Sequence, residues 1–377
     1  MKKLLYIAPV EINLETADGV LKKILQQVDA FNKYLDVYLI GYQKKDIALY
    51  KNGKINIITP AKKAIHRRMD LYTCSQNFVE KMLVDKVYIR YGYSEWKFID
   101  LLKNISEVAD KIIIEIPTYP YKGEATKSFK KKIAYYIDQL YARKLKKYIS
   151  GIATFSNHRK IFSIPCIKIM NGIDVDRVSI KIKDGVYSSQ LNLLAVASMT
   201  NSHGYDRLIE GMNDYYINGG VRDIVFNLVG DGIELPKYMQ LVKKYNLETH
   251  VVFHGFKSGS ELNKFYNKCD IAIECLATHR KKIFLSSSLK SREYGAKGMP
   301  MVTSCEIDAF PTRECDYVLK VPEDESHIDI NQIIDFYSKL IYKYADSKAL
   351  AQQIRNDTKE RCDMAIVMKP VIEYLNL

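Results

Sequence analysis

The chain has 377 residues, more than twice the roughly 150 residues of an ordinary domain, so two compact domains are expected and a single small module is excluded. Hydrophobic residues at 47% and charged residues at 27% form a globular balance that excludes wholesale disorder. The formal charge of +13 asks for an anionic partner, which composition alone leaves open among nucleotide phosphate, nucleic acid and lipid headgroups.

Cys74, Cys166, Cys269, Cys275, Cys305, Cys315 and Cys362 are scattered and form no CxxC pair. They read as reduced thiols of a cytosolic chain, not as a disulfide framework or a zinc cage. No stretch approaches the ~20 apolar residues of a membrane span. The run at 4–10 is too short for a signal-peptide core and reads as a buried first strand.

In chain order, short β-branched runs at 4–10, 37–42, 55–59, 87–91, 112–116, 152–155 and 167–170 alternate with helical patterns. This alternation predicts a parallel sheet covered on both faces. After the first run, Val20, Leu21, Ile24, Leu25, Val28 and Phe31 recur at helical spacing, with Lys22, Lys23, Gln26 and Gln27 on the other side. That is a βα unit. Trp96, beside Tyr91 and Tyr93, reads as a core anchor first and as a sugar-stacking ring second. Between 127 and 149, Phe129, Ile133, Ile137, Leu140, Leu145 and Tyr148 keep a helical period among Lys130, Lys131, Lys132, Arg143, Lys144, Lys146 and Lys147. This segment reads either as an interfacial helix drawn to an anionic leaflet or as a domain helix with a core side and a solvated basic side.

A second series of runs follows at 191–199, 224–229, 251–256, 271–275, 301–303 and 317–321. Two sheets imply two α/β domains and a cleft between them. The boundary is expected at Asn171-Gly172-Ile173-Asp174 and the polar stretch after it. The expected limits are an N-terminal domain at 1–173, a linker at 174–190, a C-terminal domain at 191–355, and a closing helix within 356–377 that returns to the N-terminal domain.

Open α/β sheets bind ligands beyond the carboxyl ends of their strands, and four strand ends in the second series stand out. In Ser198-Met199-Thr200-Asn201-Ser202-His203-Gly204, Asn201 or Ser202 is placed to cap a helix whose free N–H groups would hold a phosphate. His203 would add a charge or a hydrogen bond, or be a plain turn residue. Gly230-Asp231-Gly232 allows close backbone approach, or is simply a strand-to-helix turn. His254-Gly255-Phe256 could lie along a flat base, or be a β-turn with Phe256 partly buried. The richest segment runs from Ser286, Ser287 and Ser288 through Leu289 and Lys290 to Glu293, Gly298 and Pro300, and outlines an anion site at a helix N-terminus. Lys290 and Glu293 share a helical face, where they either form a surface pair or serve phosphate and ribose.

The order of Asn171-Gly172-Ile173-Asp174, His203-Gly204, Val229-Gly230-Asp231-Gly232, 252–256 and 287–300 resembles that of bacterial family 4 glycosyltransferases (glycosyl transferases group 1). The resemblance covers about half the chain and implies the GT-B fold: two Rossmann-like α/β domains facing each other across a cleft. It implies transfer of a sugar from a nucleotide-diphosphate donor, UDP- or GDP-linked, to an acceptor hydroxyl with retention. It also implies roles: Glu293 on the ribose, Phe256 and its neighbours on the base, Ser286 to Lys290 on the diphosphate, and Gly19 letting a first-domain loop approach the phosphates. Ser198, His203 and Gly230 complete the donor side.

Three departures from the family pattern are visible. Ser198 and His203 stand where an Arg and a Lys are usual, so the cationic clamp would be weaker or come from Lys290. Leu285 replaces the first of two glutamates eight apart. No histidine occurs in 114–121, where Glu115 or Tyr119 would line the acceptor side, although Glu115 could equally pair with Arg90 as structure. Glu115, His203 and Lys290 are therefore the candidate catalytic residues. No DxD pair or His/Cys cluster suggests a metal, and no cofactor is expected.

The leading expectation is a cytoplasmic enzyme, peripheral on the inner face of the plasma membrane if 127–149 binds lipid. It would extend a glycan or lipid-linked oligosaccharide of a capsule, O-antigen or exopolysaccharide. The alternatives are a nucleotide-sugar epimerase of the same fold and a non-catalytic sugar- or lipid-binding subunit of a synthase. A specific nucleic-acid partner is not expected, since no binding motif accompanies the basic residues.

Overall fold

The computed structural model describes residues 1–15, 19–60, 66–122, 129–182, 189–344 and 346–376. The chain divides into two compact units, Met1–Met170 with Met364–Leu377, and Asn171–Asp363.

The first unit holds β1 (Lys3–Glu11), α1 (Gly19–Asn32), β2 (Asp36–Gln43), β3 (Asp46–Lys51), β4 (Lys54–Thr59), α2 (Arg67–Met82), β5 (Lys86–Arg90), α3 (Trp96–Ile105), β6 (Lys111–Ile116), α4 (Phe129–Ala142), β7 (Gly151–Thr154), β8 (Lys160–Ile161) and β9 (Ile164–Lys168). Its nine-stranded sheet runs β4-β3-β2-β1-β5-β6-β7-β9-β8. β1 is central, and Leu4 to Ala8 are buried on both faces, which explains their unbroken apolar run. The sheet is mixed where a parallel one was expected. β3 pairs antiparallel with both β2 and β4 through two-residue hairpins: Lys44, at φ 54°, and Lys45 turn the chain between Gln43 and Asp46, and Asn52 and Gly53, at φ 48° and 82°, turn it between Lys51 and Lys54.

The polar side of α1 is also different from the expected one. Lys23 and Gln27 are buried while Val20 is exposed. Both polar side chains turn inward to the Glu115 carboxylate, at 3.0 and 2.8 Å.

The second unit holds β10 (Gln190–Ser198), α5 (Tyr205–Ile217), β11 (Asp223–Asp231), α6 (Leu235–Lys244), β12 (Val251–Phe253), α7 (Gly259–Lys268), β13 (Ile271–Ile273), β14 (Leu285–Ser286), α8 (Leu289–Lys297), β15 (Met301–Thr303), β16 (Glu306–Ile307), β17 (Val318–Lys320), α9 (Ile330–Tyr344) and α10 (Ser347–Cys362). Six strands form one parallel sheet in the order β12-β11-β10-β13-β15-β17. The order reverses between β10 and β13. Such a switch point opens a crevice at the carboxyl ends of the strands, where doubly wound folds hold their ligands.

The last helix, α11 (Met364–Asn376), belongs to the first unit and lies on α1, where Gln27 reaches the Met368 sulfur. The return therefore starts at Met364 and not at 356. Residues 356–363 stay with the second unit because α10 runs unbroken to Cys362 and buries Leu350, Ala351, Ile354, Thr358 and Cys362 there.

Candidate functional site

At the switch point of the second unit, β10 ends at the exposed Ser198, and Asn201–His203 forms one turn of 3-10 helix. Thr200 precedes this turn, and its backbone N–H donates to His203 Nδ1 at 2.9 Å, while α5 starts from Gly204 with no side-chain cap from the expected Asn201 or Ser202. An amide N–H can only donate, so Nδ1 accepts and the proton is assigned to Nε2. Burial first, then the nearby Lys290 charge, lower the His203 pKa to about 4. The ring is thus a neutral hydrogen-bond donor, not a cation. Gly204 turns the chain into α5 at φ 63°, and a Cβ there would sit 2.5 Å from that of Ala277. Only glycine meets both demands.

Across the switch point, β13 is followed by Glu274, a fully buried carboxylate. Burial raises its pKa, but Lys290 and hydrogen bonds from Ser288 and Cys275 bring it below the ordinary carboxylate range. Ser288 caps α8 by accepting from Ser291 N at 3.1 Å, and its own hydroxyl donates to Glu274. Lys290 Nζ lies 3.8 Å from Glu274 Oε1 and 3.5 Å from the Tyr205 hydroxyl. Burial opposes the lysine's charge, yet its neighbours, Glu274 among them, hold its pKa well above the ordinary value. Sequence reading missed Glu274. Its signal was an acid closing the apolar run Ile271–Ile273.

The serines divide in role. Ser287 accepts from Asn171 N at 3.2 Å and from the Arg292 guanidinium at 3.3 Å, so its hydroxyl is occupied within the unit. Ser286 ends the short strand β14, and Leu289 opens α8, partly exposed. Glu293 lies one turn on from Lys290, beside the buried Tyr266 phenol, whose pKa is raised by burial and then by the Glu293 charge. A second cation near the first turn, Arg280, was not anticipated. It reaches Asn201 O at 3.0 Å but is held by two carboxylates, Asp206 at 2.9 Å and Glu325 at 2.5 Å.

Gly230 has φ 125°, and a Cβ on it would lie 2.0 Å from the Ala197 carbonyl. The neighbouring strand alone therefore demands glycine there. Its N–H donates to Gly255 O at 2.8 Å, tying the β11 turn to the β12 turn. Phe256 follows, 78% exposed, in place of the partial burial expected of a packed turn.

In the first unit, Glu115 is completely buried and is not a surface residue of any site. Lys23 and Arg90 contact its Oε1, each at 3.0 Å, while Gln27 and the Tyr88 hydroxyl donate to Oε2, each at 2.8 Å. Burial raises its pKa, and the two cations and these donors overcome that, to about 2. This is a structural ion cluster, which corrects the catalytic and acceptor-lining roles expected of Glu115. Tyr119 lies past β6 against His158 and Tyr121, with ring centroids 4.9 and 5.9 Å away. The fold thus brings a histidine from beyond β7 to the strand end whose own sequence has none. Gly19 opens α1; the loop before it, 16–18, lies outside the described residues.

The basic segment also departs from expectation. Residues 127–128 lie outside the described residues, α4 stops at Ala142, and Leu145–Lys147 is a separate 3-10 turn. Phe129, Ile133, Tyr136, Ile137 and Leu140 are exposed, whereas Asp138 is buried and accepts from Ser94 N and the Tyr91 and Tyr121 hydroxyls. The stripe is therefore outside the core along α4 and joins it only beyond, where Leu145 is buried and Tyr148 packs against the core. Trp96 is 54% exposed, so it is no core anchor either.

Among the described residues, no group of three or more His, Cys, Asp or Glu side chains is placed to hold a metal ion. No helix among them is long and apolar enough to cross a membrane.

Residues 176–359, nearly the whole second unit, match the family model for glycosyl transferases group 1. Solved structures match over the whole chain. A glycosyltransferase from Rickettsia africae has a TM-score of 0.64 at 13% identity, covering 100% of this chain and 98% of its own. HepE from Anabaena, solved in complex with UDP-glucose, has a TM-score of 0.60 at 12% identity and 100% coverage of both chains. WaaG, a glycosyltransferase involved in lipopolysaccharide biosynthesis, has a TM-score of 0.58 at 14% identity, covering 98% of this chain and 99% of its own. The fold is that of the GT-B glycosyltransferases. No curated protein matches the chain in sequence.

Proposed function

We propose that the chain is a retaining, family 4 glycosyltransferase that moves a sugar from a nucleotide-diphosphate donor, UDP- or GDP-linked, to a hydroxyl of a glycan acceptor. The observation that carries the reading is that Lys290, in the first turn of α8, meets both Glu274 after β13 and Tyr205, whose ring lies 5.4 Å from that of His203, inside the region that matches the family model. Breaking the anomeric C–O bond leaves negative charge on the diphosphate and positive charge on the sugar ring. Lys290 and the free amides of α8, backed by the ring N–H of His203, supply fixed positive potential for that leaving group. Glu293 accepts from the ribose hydroxyls and Phe256 flanks the base. Ser198, Gly230 and the stretch from Ser286 to Leu289 offer backbone and hydroxyl contacts. Tyr119 serves the acceptor.

That HepE was solved with UDP-glucose favours a UDP-linked donor, and the role of WaaG favours a surface polysaccharide such as capsule or O-antigen. The exposed apolar stripe and bases of α4 favour a lipid-linked acceptor met at an anionic inner leaflet, by a protein peripheral to that membrane. A second reading, a non-catalytic sugar- or lipid-binding subunit, is favoured by one observation: Lys290 is already paired with Glu274.

Calorimetric titration with UDP, GDP, CMP and ADP, with and without magnesium, tests the proposal. Selective binding of one nucleotide, followed by turnover of its sugar with an acceptor glycan, is the expected result. Binding without turnover over a broad acceptor panel supports the second reading, and no binding to any nucleotide overturns the donor site.

A further inference from the structure

Past the carboxyl ends of β5 and β6 lies a cavity of about 230 Å³, lined by Arg90, Tyr91, Gly92, Tyr93, Thr118 and Tyr121 among others. It is smaller than the ~300–1,000 Å³ of pockets that engulf a whole drug-sized ligand, so it suits one ring or one ionic group. Its charge is set from behind. Two cations, Lys23 and Arg90, share the single Glu115 carboxylate, which leaves one positive charge in excess. Lys23 is 6% exposed and Arg90 19%, so the excess is presented by Arg90, the member that lines the cavity.

A second guanidinium stands at the same turn. Arg68 donates to Tyr93 O, and its Nη2 lies 3.9 Å from where a Cβ on Gly92 would be. Among the described residues no carboxylate lines the cavity. Asp138 lies behind the phenols of Tyr91 and Tyr121, buried and occupied by their hydroxyls and by Ser94 N. Tyr93 and Tyr121 meet edge-on, 6.1 Å between centroids, and give the cavity aromatic walls beside its cation.

We propose that this cavity binds an anionic group, a phosphate or a sugar carboxylate, on the Arg90 guanidinium. Arg90 is pre-oriented by a buried carboxylate, which lowers the cost of fixing it on a planar oxyanion. Assigning that anion to the acceptor rests on the transferase reading; the binding itself does not.

The test is titration of the full chain with methyl phosphate, methyl glucuronide and the uncharged methyl glucoside, followed by NMR or calorimetry. Wild type is expected to bind at least one of the two anions at least tenfold more tightly than methyl glucoside. Preference for the glucuronide identifies an acidic sugar, and preference for the phosphate a phosphorylated acceptor. Arg90→Gln is expected to weaken that binding at least tenfold. Thr118→Glu, at an exposed lining position outside the ion cluster, should do the same with folding intact, so a fold defect in the first variant leaves the second decisive. Lys244→Gln, at an exposed position of α6 in the other unit, should not change it. Equal binding of anions and glucoside, or anion binding that survives Thr118→Glu, overturns the proposal. Anion binding lost in Thr118→Glu, from a protein that binds no nucleotide, keeps the cavity and refutes the transferase reading instead.

Discussion

At the scale of single residues, burial decides which charges are available for chemistry. Glu115, within β6, and Glu274, just after β13, are both fully buried, and each is paired with cations of its own unit. Glu115→Gln leaves Lys23 and Arg90 without a counter-charge, and breaking a buried ion pair from one side costs about 3–5 kcal/mol. Chemical denaturation should therefore show a much less stable first unit, while nucleotide affinity of the second stays as in wild type. Glu293→Ala should behave oppositely, weakening donor-nucleotide binding at least tenfold, from the loss of the ~1.5–3 kcal/mol of a hydrogen bond to a charged group, with an unchanged circular dichroism spectrum. An unaltered Kd would remove Glu293 from the site.

His203 makes a pH prediction. Its folded pKa, about 4, lies below the ~6.5 of an unfolded histidine, so the unfolded chain binds more protons between these values. Its contribution to stability is complete above about pH 6.5 and is lost as pH falls toward 4. Thermal unfolding of His203→Gln should accordingly show a shallower acid decline over that interval than wild type.

The placement of these residues was legible to different degrees. The glycines, serines and Lys290 could be read as a phosphate-binding turn because their neighbours in sequence are their neighbours in space. Glu274 joins Lys290 from 16 positions away, and Glu115 meets Lys23 from 92 away, so no local pattern reveals either pairing.

At the scale of elements, periodicity located α1 and α4 but not their environments. A helical apolar stripe reports that one side differs from the other; it does not say what covers it. In α1 the polar side chains Lys23 and Gln27 reach an interior carboxylate, and in α4 the stripe faces outward while Asp138 is the buried anchor. β3 was missed for another reason. Its run 46–51 is short and mixed, although the Asn52-Gly53 pair beside it is a strong hairpin signal.

If the outward side of α4 and the basic turn after it meet an anionic leaflet, each base there contributes about 1 kcal/mol. Replacing Lys130, Lys131, Lys146 and Lys147 with Gln should lower co-sedimentation with anionic vesicles at least tenfold at low salt. Replacing Phe129 and Leu140 with Ser should lower it at any salt concentration. Retention of vesicle binding by both variants would assign the segment to some other contact.

At the scale of the whole molecule, α/β alternation was enough to anticipate two sheets, because buried parallel strands must be apolar throughout. The ownership of the last helix was harder to place, since α10 and α11 are nearly continuous in sequence yet belong to different units. α11 buries six side chains, from Met364 to Leu375, at about 1.5–3 kcal/mol each. That sum rivals the ~5–15 kcal/mol by which a domain is stable at all. A chain truncated after Asp363 should show near-global loss of amide-exchange protection over 1–170, with protection over 171–363 retained; protection retained in both would show that α11 is dispensable.

The same helix places a delay in the life of every newly made copy. A stretch on the order of 200 residues, 171–363, emerges from the ribosome after the sheet of the first unit and before the helix that covers α1. At about 5–20 residues per second, translation leaves that apolar surface bare for roughly 10–40 s, while the second unit has all of its own chain in hand and is free to fold. The half of the protein made first is thus the half finished last, and chaperone occupancy during synthesis should concentrate on α1.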